Sequence, residues 1–182
     1  MKHSISYNST AIVLHWLIAL LIAVTFPIAW IMVDMKDDSP AQLSWFAVHI
    51  SIGISILLLV TLRLINRLFS GVPAAPANTP VAIQKLTGLI HLGLYALMFI
   101  VPLTGWVMAS AGGHAVSFFG LFSLPDLVVK NDGLHETTES LHETVAYILL
   151  GLIALHTAAA LKHQIIQRDD VLARMLPFLR KR

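Results

Sequence analysis

The sequence contains no cysteine. This absence excludes structural disulfides, cysteine-ligated iron–sulfur clusters, thiol catalysis and the covalent attachment of a c-type haem. Charged residues are also scarce, because Asp, Glu, Lys and Arg make up 12% of the 182 residues whereas 57% are hydrophobic. Any metal or haem in this chain would therefore be held without a thioether bond, by histidine or methionine side chains.

Four long apolar segments dominate the chain, at residues 11–33, 44–62, 86–109 and 141–163. A helix needs about 20 apolar residues to cross the hydrocarbon core of a bilayer, and helices satisfy their own backbone hydrogen bonds there. We therefore predict an all-α integral membrane protein, a four-helix bundle that forms a single membrane domain over residues 1–182.

The basic residues are distributed unevenly between the segments that flank these spans. Ten of the twelve Lys and Arg residues fall on the side that carries both chain ends, and only Lys36 and Lys130 fall on the other side. Because cytoplasmic loops carry the excess of Lys and Arg, both termini are expected in the cytoplasm. The expected location is the bacterial inner membrane.

The last span carries two histidines, His142 and His156, which are fourteen residues apart. Fourteen residues of α-helix return the side chain to within about 40° of its starting direction and advance it about 21 Å. The two imidazoles therefore share one face of the helix, at different depths. Ionisable groups inside a membrane span indicate function, and imidazole is a common ligand of haem iron.

The histidines of the other spans match these two depths. With both termini inside, His15 lies near the cytoplasmic face at the level of His156, and His49 lies near the outer face at the level of His142. Each level thus offers two imidazoles, as a bis-histidine haem requires. A small residue also follows each of these histidines by one helical turn, which would let a porphyrin lie against the helix. These small residues are Ala19, Gly53, Ala146 and Ala160.

Two further histidines lie close to the cytoplasmic level. His91 in the third span is expected to make a polar contact, with a cofactor or quinone contact as the alternative. His163 follows His156 by seven residues on nearly the same face. A proton relay or a transition-metal transport path is the alternative to haem binding. Such paths usually contain intramembrane carboxylates, and the cores of these four spans contain none.

Four sequence segments resemble the bacterial cytochrome b561 family: VLHWL, VHISIGISILLLVTLRL, GLIHLGLYALMFIVPLTGW and LHETVAYILLGLIALHTAAALKH. The resemblance implies four helices that hold two haem b groups. It places the cytoplasmic-side haem on His15 and His156, and the periplasmic-side haem on His49 and His142. The best-understood type in the family is a diheme superoxide oxidase, which passes electrons from superoxide to ubiquinone.

The resemblance implies a superoxide:ubiquinone oxidoreductase embedded in lipid, with superoxide and O2 handled at the periplasmic face. His163 and Arg63 are the candidates for contacts to quinone or to a haem propionate. One alternative is an electron-relay subunit for a periplasmic redox partner, and a second is a haem-free metal or proton carrier; no nucleic acid partner is expected. An acidic outer surface would repel superoxide unless Lys36 or Lys130 lies at the mouth of the site.

Overall fold

The computed structural model describes residues 7–37, 39–76 and 79–179. Four long helices account for most of these residues: α1 (Ser9–Val33), α2 (Pro40–Ser70), α3 (Val81–Gly112) and α4 (Asp132–Lys162). Each of the four is long and apolar enough to cross a membrane. The prediction of an all-α membrane bundle with four spans is therefore confirmed.

The helices extend beyond the predicted spans, because hydropathy marks only the part that lies in lipid. Asn8, Ser39 and Asn131 cap the starts of α1, α2 and α4, each with a side-chain oxygen that accepts a backbone N–H. Gly71 and Gly113 follow α2 and α3 with φ of 68° and 77°, a conformation that favours glycine. Polar capping groups thus set the ends, several residues outside the apolar segments.

Short elements complete the chain. The loop between α3 and α4 contains a hairpin of two-residue strands, β1 (Ser117–Phe118) and β2 (Phe122–Ser123), which pair antiparallel. A π-helical turn (His163–Gln167) continues α4, and two 3-10 turns follow it. The hairpin is fastened to α2 by buried Ser51, whose hydroxyl accepts the N–H of Phe119 at 2.9 Å.

The helices pack as antiparallel neighbours, with α1 on α2, α3 on α4 and α2 also against α3. Isoleucine and valine side chains interlock between α1 and α2, where Val60 is completely buried. Many leucines on the outer faces are exposed, for example Leu20 at 60% and Leu92 at 66%. Lipid tails are as apolar as leucine, so these faces suit a bilayer, and packing and interhelical hydrogen bonds stabilise the bundle.

We call the end of the bundle where α1 begins and α4 finishes the inner end, and the opposite end the outer end. At the inner end, the tail after α4 folds back against the bundle. The Trp16 indole donates to the carbonyl of Met175 at 2.9 Å, and Arg174 donates to the carbonyl of Ala74 at 2.6 Å. Ala173 of this tail is buried. The tail therefore covers part of the inner end, close to His15.

Candidate haem sites

The helix packing brings the four span histidines together in two pairs. At the inner end, the ring centroids of His15 on α1 and His156 on α4 are 6.3 Å apart. At the outer end, the centroids of His49 on α2 and His142 on α4 are 6.2 Å apart. The pairs are those that the depth of the residues predicted, and all four side chains are half-buried.

The spacing within each pair is informative about what the pair could hold. Two imidazoles that bind one metal ion from opposite sides, each through a nitrogen about 2 Å from the metal, have ring centroids roughly 6 Å apart. The rings of His91 and His156, which meet edge to face, are closer, at 5.3 Å. Both pairs therefore have the separation of two axial ligands.

His142 is held in a defined orientation by α3. Its Nδ1 lies 3.0 Å from the carbonyl oxygen of Val101 and 3.1 Å from the hydroxyl oxygen of Thr104. A carbonyl only accepts, so Nδ1 is the protonated nitrogen and Nε2 keeps its lone pair free for a metal. Hydrogen bonds of this kind commonly orient the histidine ligands of metals. The close approach depends on Gly105, since a Cβ there would lie 3.0 Å from Cε1 of His142.

A cavity of about 470 Å³ opens beside the outer pair and is lined by both His49 and His142. Two of the small residues that the sequence singled out, Gly53 and Ala146, also line it. A Cβ on Gly53 would meet no atom within 4 Å, so the space beside α2 is open. His49 Nδ1 is buried and has no hydrogen-bond partner among the described residues. A buried polar atom without a partner calls for a bound group, and the donor set, the apolar walls and the open space fit haem.

Comparison with known proteins agrees with this geometry. Residues 6–178 match the family model described as prokaryotic cytochrome b561. The chain belongs to the prokaryotic cytochrome b561 family. It is therefore a multi-pass bacterial membrane protein that binds haem b and transfers electrons, and the alternative of a haem-free carrier is ruled out.

Three relatives align with the chain along almost its whole length. Cytochrome b561 homolog 1 of Escherichia coli (strain K12) is 32% identical over 171 residues, which cover 94% of this chain and 97% of the relative. Cytochrome b561 homolog 2 of the same organism is 29% identical over 176 residues, or 93% and 90% of the two chains. The probable superoxide oxidase CybB of Yersinia pestis is 30% identical over 177 residues, or 94% and 96%.

The charged residues that line the outer cavity are all acidic. Three carboxylate residues line it, namely Asp34, Glu139 and Glu143. Of the described residues that line it, none is Lys or Arg, so neither Lys36 nor Lys130 lines the cavity. The stem of Lys130 lies across Gly113, beyond the end of α3. The negative charge of the cavity lining therefore favours a neutral or cationic molecule over an anion.

The two candidates for quinone or propionate contacts both lie at the inner end. Arg63 donates to the carbonyl of Ala11 at 2.6 Å and is close enough to interact electrostatically with His15 and His156. His163 begins the π-helical turn, and its Nδ1 lies 2.6 Å from a carboxylate oxygen of Asp169. Both positions are compatible with the predicted contacts to quinone or to a haem propionate.

Sequence reasoning missed Asp169, and it described His91 as a polar contact of the third span with a cofactor or quinone contact as the alternative. The ring of His91 packs against the ring of His156, so His91 belongs to the inner site. Asp169 reaches His163 because the chain changes direction after the π-helical turn. Arg168 adopts the left-handed backbone conformation there, with φ of 53°. Neither the reversal nor the rotation of α3 about its own axis has a signal in the sequence.

Proposed function

We propose that this protein holds two haem b groups, one between His15 and His156 and one between His49 and His142. We further propose that it oxidises superoxide at the periplasmic face and reduces ubiquinone near the cytoplasmic face. The observation that carries the proposal is the matched separation of the two pairs, 6.3 Å and 6.2 Å. The likeness to a probable superoxide oxidase supports the choice of substrate.

The proposed orientation puts the inner end in the cytoplasm and treats the whole chain as one membrane domain. Ten of the twelve Lys and Arg residues support it, because they flank the spans at that end or lie in the two terminal segments. In this orientation His49 and His142 lie near the periplasm. His15, His156, Arg63 and His163 lie near the cytoplasm.

Haem iron supplies one-electron transfer between its ferric and ferrous states when bound. The chain contributes the ligands, their orientation and a dry environment. Val101 fixes the protonated nitrogen of His142, and most of the residues that surround the outer pair are apolar. In the overall reaction two superoxide anions lose one electron each and become O2, while one quinone gains two electrons and two protons and becomes quinol.

The two protons have to come from the aqueous phase at the inner end, where His163 is the proposed quinone contact. The Asp169 carboxylate only accepts, so Nδ1 of His163 donates to it, and no described residue is hydrogen-bonded to Nε2. The side chains of His163 and Asp169 are 28% and 31% exposed. His163 can therefore exchange a proton at Nε2 with water while Asp169 holds the ring in place. Arg63 is the proposed contact for a quinone oxygen or a haem propionate.

A second candidate function is an electron-relay subunit for a periplasmic redox protein. The acidic lining of the outer cavity favours it, since Asp34, Glu139 and Glu143 would repel superoxide and attract a basic protein surface. In this case the haems and the quinone site would be unchanged. Only the electron donor at the outer end would differ.

The deciding experiment uses the chain expressed with a haem supply and purified in detergent. A redox difference spectrum with a haem-to-protein ratio near two would support both pairs as haem sites, whereas a ratio near one would leave one pair structural. Superoxide is then offered to the purified protein with a soluble ubiquinone. Quinone reduction by the lone chain supports the oxidase, and a diheme protein that fails to react with superoxide supports the relay.

A further inference from the structure

The inner pair is accompanied by a third imidazole. We propose that His91 is a positioning residue, which sets the plane of the His156 ring and thereby the angle between the two axial ligands of the inner haem. The inference rests on the proposed function insofar as it takes His15 and His156 as those ligands. It assigns to His91 no bond to iron.

The ring geometry separates His91 from the ligand role. Its centroid is 5.3 Å from that of His156, about 1 Å shorter than the separation between His15 and His156. That distance is too short for a metal between the two rings but suits an edge-to-face contact. The planes of His91 and His156 are 84° apart, so the edge of one ring meets the face of the other. Rotation of His156 about its own bonds would break this contact or force His91 to move.

His91 is itself fixed. Its Nδ1 lies 2.7 Å from the carbonyl oxygen of Thr87, one turn earlier in α3. The carbonyl only accepts, so Nδ1 carries the proton and the ring is anchored to the helix backbone. A ring that is anchored in this way can restrict the orientation of the neighbouring ring.

His156 depends on such packing for its orientation more than His142, the α4 histidine at the outer end, does. His142 is oriented by hydrogen bonds to Val101 and Thr104, whereas no described residue is hydrogen-bonded to His156. Outer-shell partners normally orient metal-bound histidines. The two ends therefore use different devices: a hydrogen bond orients the α4 histidine at the outer end, and packing against an anchored ring orients it at the inner end.

The test compares the purified diheme protein with the variants His91→Leu and His91→Phe. Phenylalanine keeps an aromatic ring at this position but loses the hydrogen bond to Thr87, and leucine removes the ring altogether. The measurements are the low-spin ferric electron paramagnetic resonance signals and the midpoint potential of each haem. Signals are assigned to a level with His142→Ala, which should lack the outer haem.

We expect His91→Leu to shift the g-maximum and the midpoint potential of the inner haem and to leave the outer haem unchanged. His91→Phe should give a smaller shift in the same direction. The matched control is His135→Leu, because His135 also contacts a backbone carbonyl, that of Met108 at 3.0 Å, but it lies on α4 at the outer end of the bundle. This control should leave the inner signal as it is.

The inference is overturned if both His91 variants keep the wild-type inner signal and potential while His156→Ala loses the inner haem. If His91→Leu does not assemble, His91→Phe decides by the same criterion. A wild-type protein without two low-spin haems would contradict the proposed function instead, so the two failures are distinguishable.

Discussion

Gly105 brings the backbone of α3 against the imidazole of His142, so closely that a Cβ on Gly105 would lie 3.0 Å from Cε1 of the ring. The same segment of α3 provides the carbonyl of Val101, which accepts from Nδ1 of His142. A glycine and a carbonyl one turn apart therefore act together. Gly105 allows the backbone of α3 to approach the ring, and the carbonyl of Val101 accepts the hydrogen bond that orients His142.

Replacement of Gly105 by valine should displace His142 and weaken binding of the outer haem. Overpacking of this kind costs about 1–3 kcal/mol, and here the displaced group is a proposed ligand. The expected result is a haem-to-protein ratio that falls from near two towards one. Gly151→Val is the control, because a Cβ there would meet no atom within 4 Å. Two haems in the Gly105 variant would show that the close approach does not matter.

Removal of one histidine from each pair tests the independence of the two levels. We expect His49→Ala to lose the outer haem and His15→Ala to lose the inner haem, each with about one haem per chain remaining. The reason is that, among the described span histidines, only His142 has a ring in contact with that of His49. Difference spectra of the two variants should sum to that of the wild type. Loss of both haems in either variant would contradict the two-level arrangement.

Asp169→Asn tests the proposed quinone site. The amide can still accept the N–H of Val171 through its oxygen, but its NH2 group would face Nδ1 of His163 and reverse the donor and acceptor roles. A hydrogen bond to a charged group is worth about 1.5 kcal/mol or more, so quinone reduction should slow roughly tenfold. Haem content and spectra should not change.

The neighbouring Asp170→Asn provides the control for that variant, because the Asp170 side chain is exposed and makes no contact with His163 in the described structure. A steady-state assay with varied ubiquinone concentration gives both KM and kcat. Equal activity of the two variants would remove Asp169, and with it the orientation of His163, from the quinone site.

The acidic residues of the outer cavity distinguish the two candidate donors. The double variant Asp34→Asn, Glu139→Gln removes two of the three lining carboxylates. If superoxide is the donor, its rate of oxidation should rise several-fold at low ionic strength, since like charges repel across less than a Debye length of about 10 Å at 0.1 M salt. The rise should disappear at high salt.

Glu136→Gln is the matched control, because Glu136 is an exposed acid on α4 that does not line the cavity. A basic redox protein would respond in the opposite sense, with slower association to the double variant and a weaker dependence on salt. No change with either donor would mean that these carboxylates do not face the path of the electron donor.

Much of the architecture was predictable from the sequence. Apolar length predicted the four helices, and the helical repeat together with the bilayer thickness predicted that His15 would meet His156 and His49 would meet His142. These are one-dimensional properties, because a residue's position along a span determines its depth. In a bundle of only four helices, histidines at equal depth have few alternative positions and therefore lie close together.

The tertiary structure alone decided what surrounds each pair. Depth does not specify how far each helix is rotated about its axis, so the contact of His91 with His156 and the approach of Gly105 to His142 had no signal in the sequence. The same holds for Asp169, which a reversal of the chain brings to His163, and for the acidic cavity wall that α1 and α4 build together. These features depend on contacts between segments far apart in the chain, whose relative rotation is set by side-chain packing across the whole bundle.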